Sequence, residues 1–299
     1  ITVLLLLGLG ITMVLSASSP SALATTGSSY TYVTKQFICA AIGITAMMII
    51  SKIDYKRYEK LYKLAYLVSL GVIFLVLIPG LGRTVNGARR WINVPFISSF
   101  QPSELTKIGL ILFFAAYLTK HKDELTKLKK GFLKPILLFV CPVVAALLIF
   151  QSHLSVCIVI VFVVSIMMIV AGCRIAHFLS IGAIGGGLAG IGLYILAKVY
   201  EIGAYRLQRL TSFLNPWADA QDSGWQIIQS LYAIGSGGLF GVGLGNSKQK
   251  YLYISEPHND FIFAVLAEEL GFLGCAIVIL LFAVFIWRGI VIAMKAPDM

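Results

Sequence analysis

Long apolar runs broken by short polar stretches dominate the chain. The runs lie near 1–18, 36–51, 61–80, 104–119, 135–151, 154–172, 176–199 and 260–294. A helix needs about 20 apolar residues to cross a bilayer, so each run is a candidate span. Eight spans predict an all-α, polytopic membrane helix bundle with both ends of the chain on one side. Only the last run is much longer than a bilayer requires, and Glu268 and Glu269 fall near its start. No internal repeat and no second soluble domain interrupt the pattern, so residues 1–299 read as a single integral membrane domain.

Composition agrees with the pattern. Hydrophobic residues make up 59% of the chain and charged residues only 12%, against about 25% charged in soluble domains. The chain begins at Ile1 inside an apolar run and stops at Met299 soon after another, so both ends look trimmed. No basic segment or cleavage site precedes the first run, which therefore reads as a retained helix and not a signal peptide.

The net charge of +11 would suit a nucleic-acid partner if it formed one face. It does not; the basic residues collect in the polar stretches between spans. Lys52, Lys56, Arg57, Lys60 and Lys63 fill one such stretch. Lys120, Lys122, Lys127, Lys129, Lys130 and Lys134 fill another, and Arg174, Arg288 and Lys295 fall on the same side. The opposite side holds Arg83, Arg89, Arg90, Arg206, Arg209, Lys248 and Lys250. The richer side is expected to face the cytoplasm.

That orientation places two unusual loops outside. One, 81–103, contains GARRWINVPFISSFQPS; the other, 200–259, is a large extracellular loop. Loops of that length are usually functional or disordered. Ile227, Ile228, Leu231 and Ile234 would share a face of a helix over 223–234, suited to a membrane surface, which argues against disorder. Cys39, Cys141, Cys157, Cys173 and Cys275 lack metal-type pairing and read as buried free thiols.

Asp260 is the first candidate for chemistry. It opens the last span in EPHNDFIFAVLAEELGF, where a helix starting at Asp260 would align it with Ala264 and Glu268. A carboxylate at the boundary, with another deeper, could accept a proton from a sugar hydroxyl. The competing reading is a simple helix cap. Glu104 and Lys107, in FQPSELTK, are spaced to pair across one turn and suit either a structural pair or a membrane-depth site. Arg89 and Arg90 run against the positive-inside bias; a pyrophosphate contact or a headgroup anchor beside Trp91 would explain them. Arg206, Arg209, Lys248 and Lys250 invite the same suggestion more weakly. The glycine-rich run 235–247 lacks the preceding strand and following GK[ST] of a phosphate loop and reads as flexible backbone near the membrane. His153 and His258 lack metal-ligand spacing.

Five motifs in order, GARRWINV, FQPSELTK, SFLNPWAD, GWQIIQSLYAIGSGGLFGVGLG and EPHNDFIFAVLAEELGF, resemble the SEDS family (shape, elongation, division and sporulation), the FtsW, RodA and SpoVE proteins. The resemblance covers essentially the whole chain. AGCRIAHF and WRGIVIAMKAPDM look most like the FtsW and SpoVE proteins of Gram-positive bacteria. The resemblance implies polymerisation of lipid II into glycan strands, with Asp260 as the essential acidic residue. It also implies that Glu104 and Lys107 form a buried ionic pair beside a central cavity. QSHLSV at 151–156 departs from the family's usual QPDLGT, Ser255 replaces a common proline, and two further family helices are absent after Met299.

The expected reaction is an inverting glycosyl transfer. Asp260 would deprotonate the acceptor's 4-hydroxyl, whose oxygen attacks C1 of the donor and displaces undecaprenyl pyrophosphate. Substrate binding falls to Glu104, Lys107, Arg89, Arg90, Arg206, Arg209 and Lys248, with cations meeting the leaving pyrophosphate. A divalent cation would suit such a site, although no residue pattern demonstrates one. Expected partners are lipid II, membrane lipids and a class B penicillin-binding protein, with no nucleic acid. The rival functions are a lipid II flippase and a non-catalytic scaffold for a transpeptidase.

Overall fold

A computed structural model of the chain describes residues 1–85, 88–94, 98–180, 182, 214–221, 224–251, 253, 254 and 256–296. Most of the expected span 176–199, together with Arg206 and Arg209, lies outside the described residues. The chain forms two compact units, one of residues 1–44 with the described part of 191–298, the other of residues 45–190. Among the described residues, Thr2–Thr26, Thr31–Ile50, Leu128–Gln151 and Ile262–Met294 are long and apolar enough to cross a membrane. Tyr62–Leu77 and Leu154–Val170 are shorter apolar helices.

Helices α1 (Thr2–Thr26) and α2 (Thr31–Ile50) come first. The short helix α3 (Lys56–Lys60) leads into the second unit's α4 (Tyr62–Phe74), which tightens into a 3₁₀ turn at Leu75–Leu77. Next come β1 (Gly82–Val85), β2 (Ala88–Val94) and β3 (Ser98–Phe100), then α5 (Pro102–Lys120). Two π-helical stretches, Leu128–Leu133 and Ile136–Val140, run into α6 (Cys141–Gln151), and α7 (Leu154–Val170) follows. The three strands form one antiparallel sheet in the order β1-β2-β3, inside a segment that sequence alone suggested was only a loop. Among the described residues the fold is therefore helical with one small sheet. Extended pairing suits the alternation Trp91, Ile92, Asn93, in which Ile92 is buried and Asn93 exposed.

The core of this second unit is rich in aromatic rings from α4, α5 and the π-helical stretch. Phe113 lies 4.9 Å from Tyr66 and 4.5 Å from Phe139 between ring centroids, and Phe114 and Phe132 are fully buried. Many large apolar side chains instead point outward, among them Ile158 and Phe162 on α7. Such exposure is unfavourable in water and ordinary in lipid.

In the first unit, α8 (Trp225–Gly237) and α9 (Ile262–Met294) follow α1. Met13 and Ala17 of α1 pack with Val265 and Leu266 of α9. A smaller core joins Ala233, Ile254, Ala264 and Phe261. Helix α9 is broken at Gly271, whose φ of 66° and ψ of −166° leave helical space. The break frees the carbonyls of Glu268 and Glu269, which accept the amides of Val242 (2.9 Å) and Gly243 (3.1 Å). In exchange Phe272 donates to the Gly238 carbonyl (2.9 Å) and Leu273 to that of Leu239 (3.2 Å). Backbone groups that cannot reach water need such partners. The glycine-rich run is thus bound to the helix break, not left as flexible backbone.

Candidate active site

Asp260 sits in a turn two residues ahead of α9. The helix begins at Ile262 and its N-cap position is Phe261, with no side-chain cap. The alignment of Asp260 with Ala264 and Glu268 on one helical face therefore does not form. Nor does the carboxylate cap the helix; its side chain is exposed. The turn is built on Glu256, which adopts a left-handed φ of 51°. Its carbonyl accepts the amides of Asn259 (3.1 Å) and Asp260 (3.2 Å), and its carboxylate accepts Asn259 Nδ2 at 2.9 Å. The His258 ring lies tilted against Tyr32, 4.6 Å between centroids, with Nε2 3.8 Å from Glu256. The turn presents a solvent-facing carboxylate on a fixed backbone, which is what a general base for a bulky hydroxyl requires.

The same unit holds a polar knot that sequence reasoning did not assemble. Glu269 is fully buried and accepts Lys250 Nζ at 2.8 Å. Ser16 Oγ donates to the same carboxylate at 2.6 Å and accepts from Lys250 at 3.0 Å. The third ammonium proton goes to the Gly245 carbonyl at 2.6 Å, so all three Lys250 donors are satisfied. Glu268, also buried, accepts the Ser247 hydroxyl and the Lys248 amide at 2.9 Å. A buried charge is tolerable only when paired and hydrogen-bonded in this way. Glu268, which the sequence placed as a second carboxylate deeper than Asp260, is instead tied up in this network. A cleft of about 260 Å³ opens beside the knot, lined by Thr12, Ser16, Ser19 and Lys250 among others.

In the other unit, Lys107 Nζ pairs with Glu104 at 2.8 Å. The pair is not buried, since the Glu104 side chain is 52% exposed. Arg89 Nη2 donates to the Ile78 carbonyl at 3.0 Å. Arg90 donates from Nε to the Gln151 carbonyl (2.9 Å) and from Nη2 to that of Ser152 (2.7 Å), at the C-terminus of α6. Both guanidinium groups therefore brace the ends of apolar helices, a use that also suits the helix dipole. His153, just before α7, meets the Gln101 amide through Nε2, while its Nδ1 is buried without a partner. Burial, then the Arg90 guanidinium, holds its imidazole below the ordinary histidine value.

Lys248 keeps an exposed side chain while its amide is tied to Glu268. All five cysteines are free, but only Cys157 and Cys173 are buried as expected; Cys39 and Cys275 are half-buried and Cys141 is exposed on its apolar helix. Among the described residues, no three His, Cys, Asp or Glu side chains converge as metal ligands.

Comparison with known proteins gives a consistent answer. The family model for cell cycle proteins of the FtsW, RodA and SpoVE type matches residues 1–299. Stage V sporulation protein E of Bacillus subtilis is 45% identical, over 100% of this chain and 79% of its own length. The probable peptidoglycan glycosyltransferase FtsW of Coxiella burnetii is 42% identical, over 100% of this chain and 77% of its own. Among solved structures, one from work on polymerization and crosslinking by a peptidoglycan synthase complex superposes with a TM-score of 0.71 at 27% identity, covering 99% of this chain and 77% of that one. The rod shape determining protein RodA of Thermus thermophilus gives a TM-score of 0.63 at 26% identity, covering 99% and 74%.

Proposed function

Because the chain belongs to the FtsW, RodA and SpoVE family of cell cycle proteins, we propose that it is a peptidoglycan glycosyltransferase polymerising lipid II at the outer face of the bacterial plasma membrane. The observation that carries the residue assignment is Asp260 itself, an exposed carboxylate in a braced turn that caps no helix. In this reading Asp260 takes the proton of the acceptor's 4-hydroxyl. The freed oxygen bonds to C1 of the donor as the bond from C1 to undecaprenyl pyrophosphate breaks, with inversion. Lys107 and Lys248, with guanidinium donors left over on Arg89 and Arg90, are the described cations proposed to meet phosphate; Glu104 orients Lys107.

The same reading supplies an eight-span topology with the basic loops in the cytoplasm and Asp260 outside. It also supplies a class B penicillin-binding protein as partner. The test is polymerisation of labelled lipid II in liposomes by the parent and by Asp260→Asn. Strands from the parent and none from an equally stable variant support the assignment; full activity in the variant overturns it. If the parent makes no strands but moves lipid between leaflets, transport replaces polymerisation.

A further inference from the structure

Asp260 lies near the midpoint of an excursion of the chain that starts at Lys250 and ends at Glu269. The two ends of that excursion meet in the buried ion pair at 2.8 Å. Glu268 reinforces the same closure by accepting the amides of Lys248 (2.9 Å) and Gln249 (3.4 Å). Between the clasp and the turn, each leg is fixed again. On the outgoing leg, Ile254 is buried and packs with Ala233 and Ala264, and the Tyr253 carbonyl accepts Trp225 Nε1 at 3.0 Å. On the return leg, every residue from Ala264 to Glu269 is buried.

We infer that Lys250 is a positioning residue for the base: its ammonium clasps the glycine-rich loop to the broken helix and so fixes the height and direction of the turn carrying Asp260. This inference rests on Asp260 being the base. Lys250 is only 4% exposed and all its donors are occupied, so it is not placed to bind substrate itself. A misplacement of about 1 Å can slow a reaction about a hundredfold. A hydrophobic clamp would hold the two legs less directionally than an ammonium with three acceptors. The ion pair also accounts for two charges close to an apolar helix, which would otherwise be strongly unfavourable.

The test compares Lys250→Met, Glu269→Gln, the Lys250→Met/Glu269→Gln double variant and Ser16→Ala in the intact protein. The readouts are thermal midpoint and the kcat and KM for lipid II. Each single charge variant leaves an unpaired buried charge or a weakened knot and lowers both midpoint and kcat. The double variant has no orphaned charge, so its midpoint recovers toward the parent. Its kcat is expected to stay about tenfold or more below the parent, with KM within about twofold.

Recovery of kcat together with the midpoint would overturn the inference and leave Lys250 a purely structural residue. If the double variant does not fold, Ser16→Ala decides, because it loses one hydroxyl and no charge. A several-fold loss of kcat at unchanged KM then supports positioning, and parental kcat refutes it. Asp260→Asn run alongside separates the two claims. An inactive Asp260→Asn with a fully active double variant refutes only the clasp; an active Asp260→Asn refutes the base.

Discussion

Arg90 Nη2 donates to the carbonyl oxygen of Ser152 at 2.7 Å, across the end of α6 where Ser152 itself turns left-handed at φ 48°. A second bond from Nε to Gln151 makes the contact a two-pronged cap. Lysine has the charge but not the planar fork. Arg90→Lys is therefore expected to destabilise residues 45–190 by about 1–2 kcal/mol, the worth of one lost charge-assisted bond. Thermal unfolding in detergent measures it; an unchanged midpoint would show that the cap contributes little.

Gly241 and Gly271 meet backbone to backbone. A methyl added at Gly271 would lie 2.3 Å from the Gly241 nitrogen, and one added at Gly241 would lie 2.1 Å from the Glu269 carbonyl oxygen. Either change to alanine must part the loop from the helix break, with a loss well above about 1 kcal/mol. Gly245 has a comparable φ of 85° but open space around it. Gly245→Ala should therefore lose only the conformational term of about 1 kcal/mol. Equal midpoints for the three variants would refute close packing at the break.

His153 gives the second unit a pH dependence with a definite sign. Its folded-state pKa is lowered from 6.5, first by burial and then by Arg90. The folded state therefore binds fewer protons than the unfolded one in that window. Stability from the neutral imidazole is present above the unfolded value and is lost as pH falls through it toward the lowered folded value. Midpoints measured from pH 7.5 to 5 should decline, and His153→Gln should flatten the decline. A parent profile already flat would contradict the shift.

Lys107 and Glu104 form a pair whose partners are 27% and 52% exposed. A pair at this spacing stabilises a helix by about 0.5 kcal/mol or less. Lys107→Met is thus expected to leave the thermal midpoint nearly unchanged while reducing polymerisation, through the loss of the cation proposed to meet phosphate. A variant that unfolds early, or that polymerises at the parental rate, would return the pair to a structural role.

Much of this was legible from sequence because apolar runs and helix length are coupled through the bilayer. Helix α5 was expected over 104–119 and observed at Pro102–Lys120, with Pro102 at its start. Asp260 was expected to open the last helix or to cap it, but the helix begins at Ile262, one residue later than a cap at Asp260 would require. The clasp was not legible, since Ser16 is 253 residues from the carboxylate it contacts. No local pattern announces a tertiary bond of that span. The sheet escaped because β1 and β3 are very short and the adjacent Arg89 and Arg90 of β2 break the apolar–polar alternation that marks a strand. The glycine-rich run was read as flexible because glycine signals both freedom and close approach, and only the helix break distinguishes them.

Helix α9 runs for 33 residues. At about 1.5 Å per residue it is roughly 50 Å long, against a hydrocarbon core of about 30 Å. The interruption at Gly271 divides this surplus. The stretch beyond it rises about 35 Å, enough to match a bilayer by itself. The stretch ahead of it is lined with buried residues and is seated in protein. Hydrophobic mismatch should therefore fall on the distal stretch, which can tilt, while the proximal one keeps its register with α1 and the loop. Polymerisation by one preparation in bilayers of successively longer acyl chains should vary only weakly; a steep optimum would mean that lipid thickness reaches the platform after all. On this view the break decouples the carboxylate proposed to react from the mechanics of the membrane that holds it.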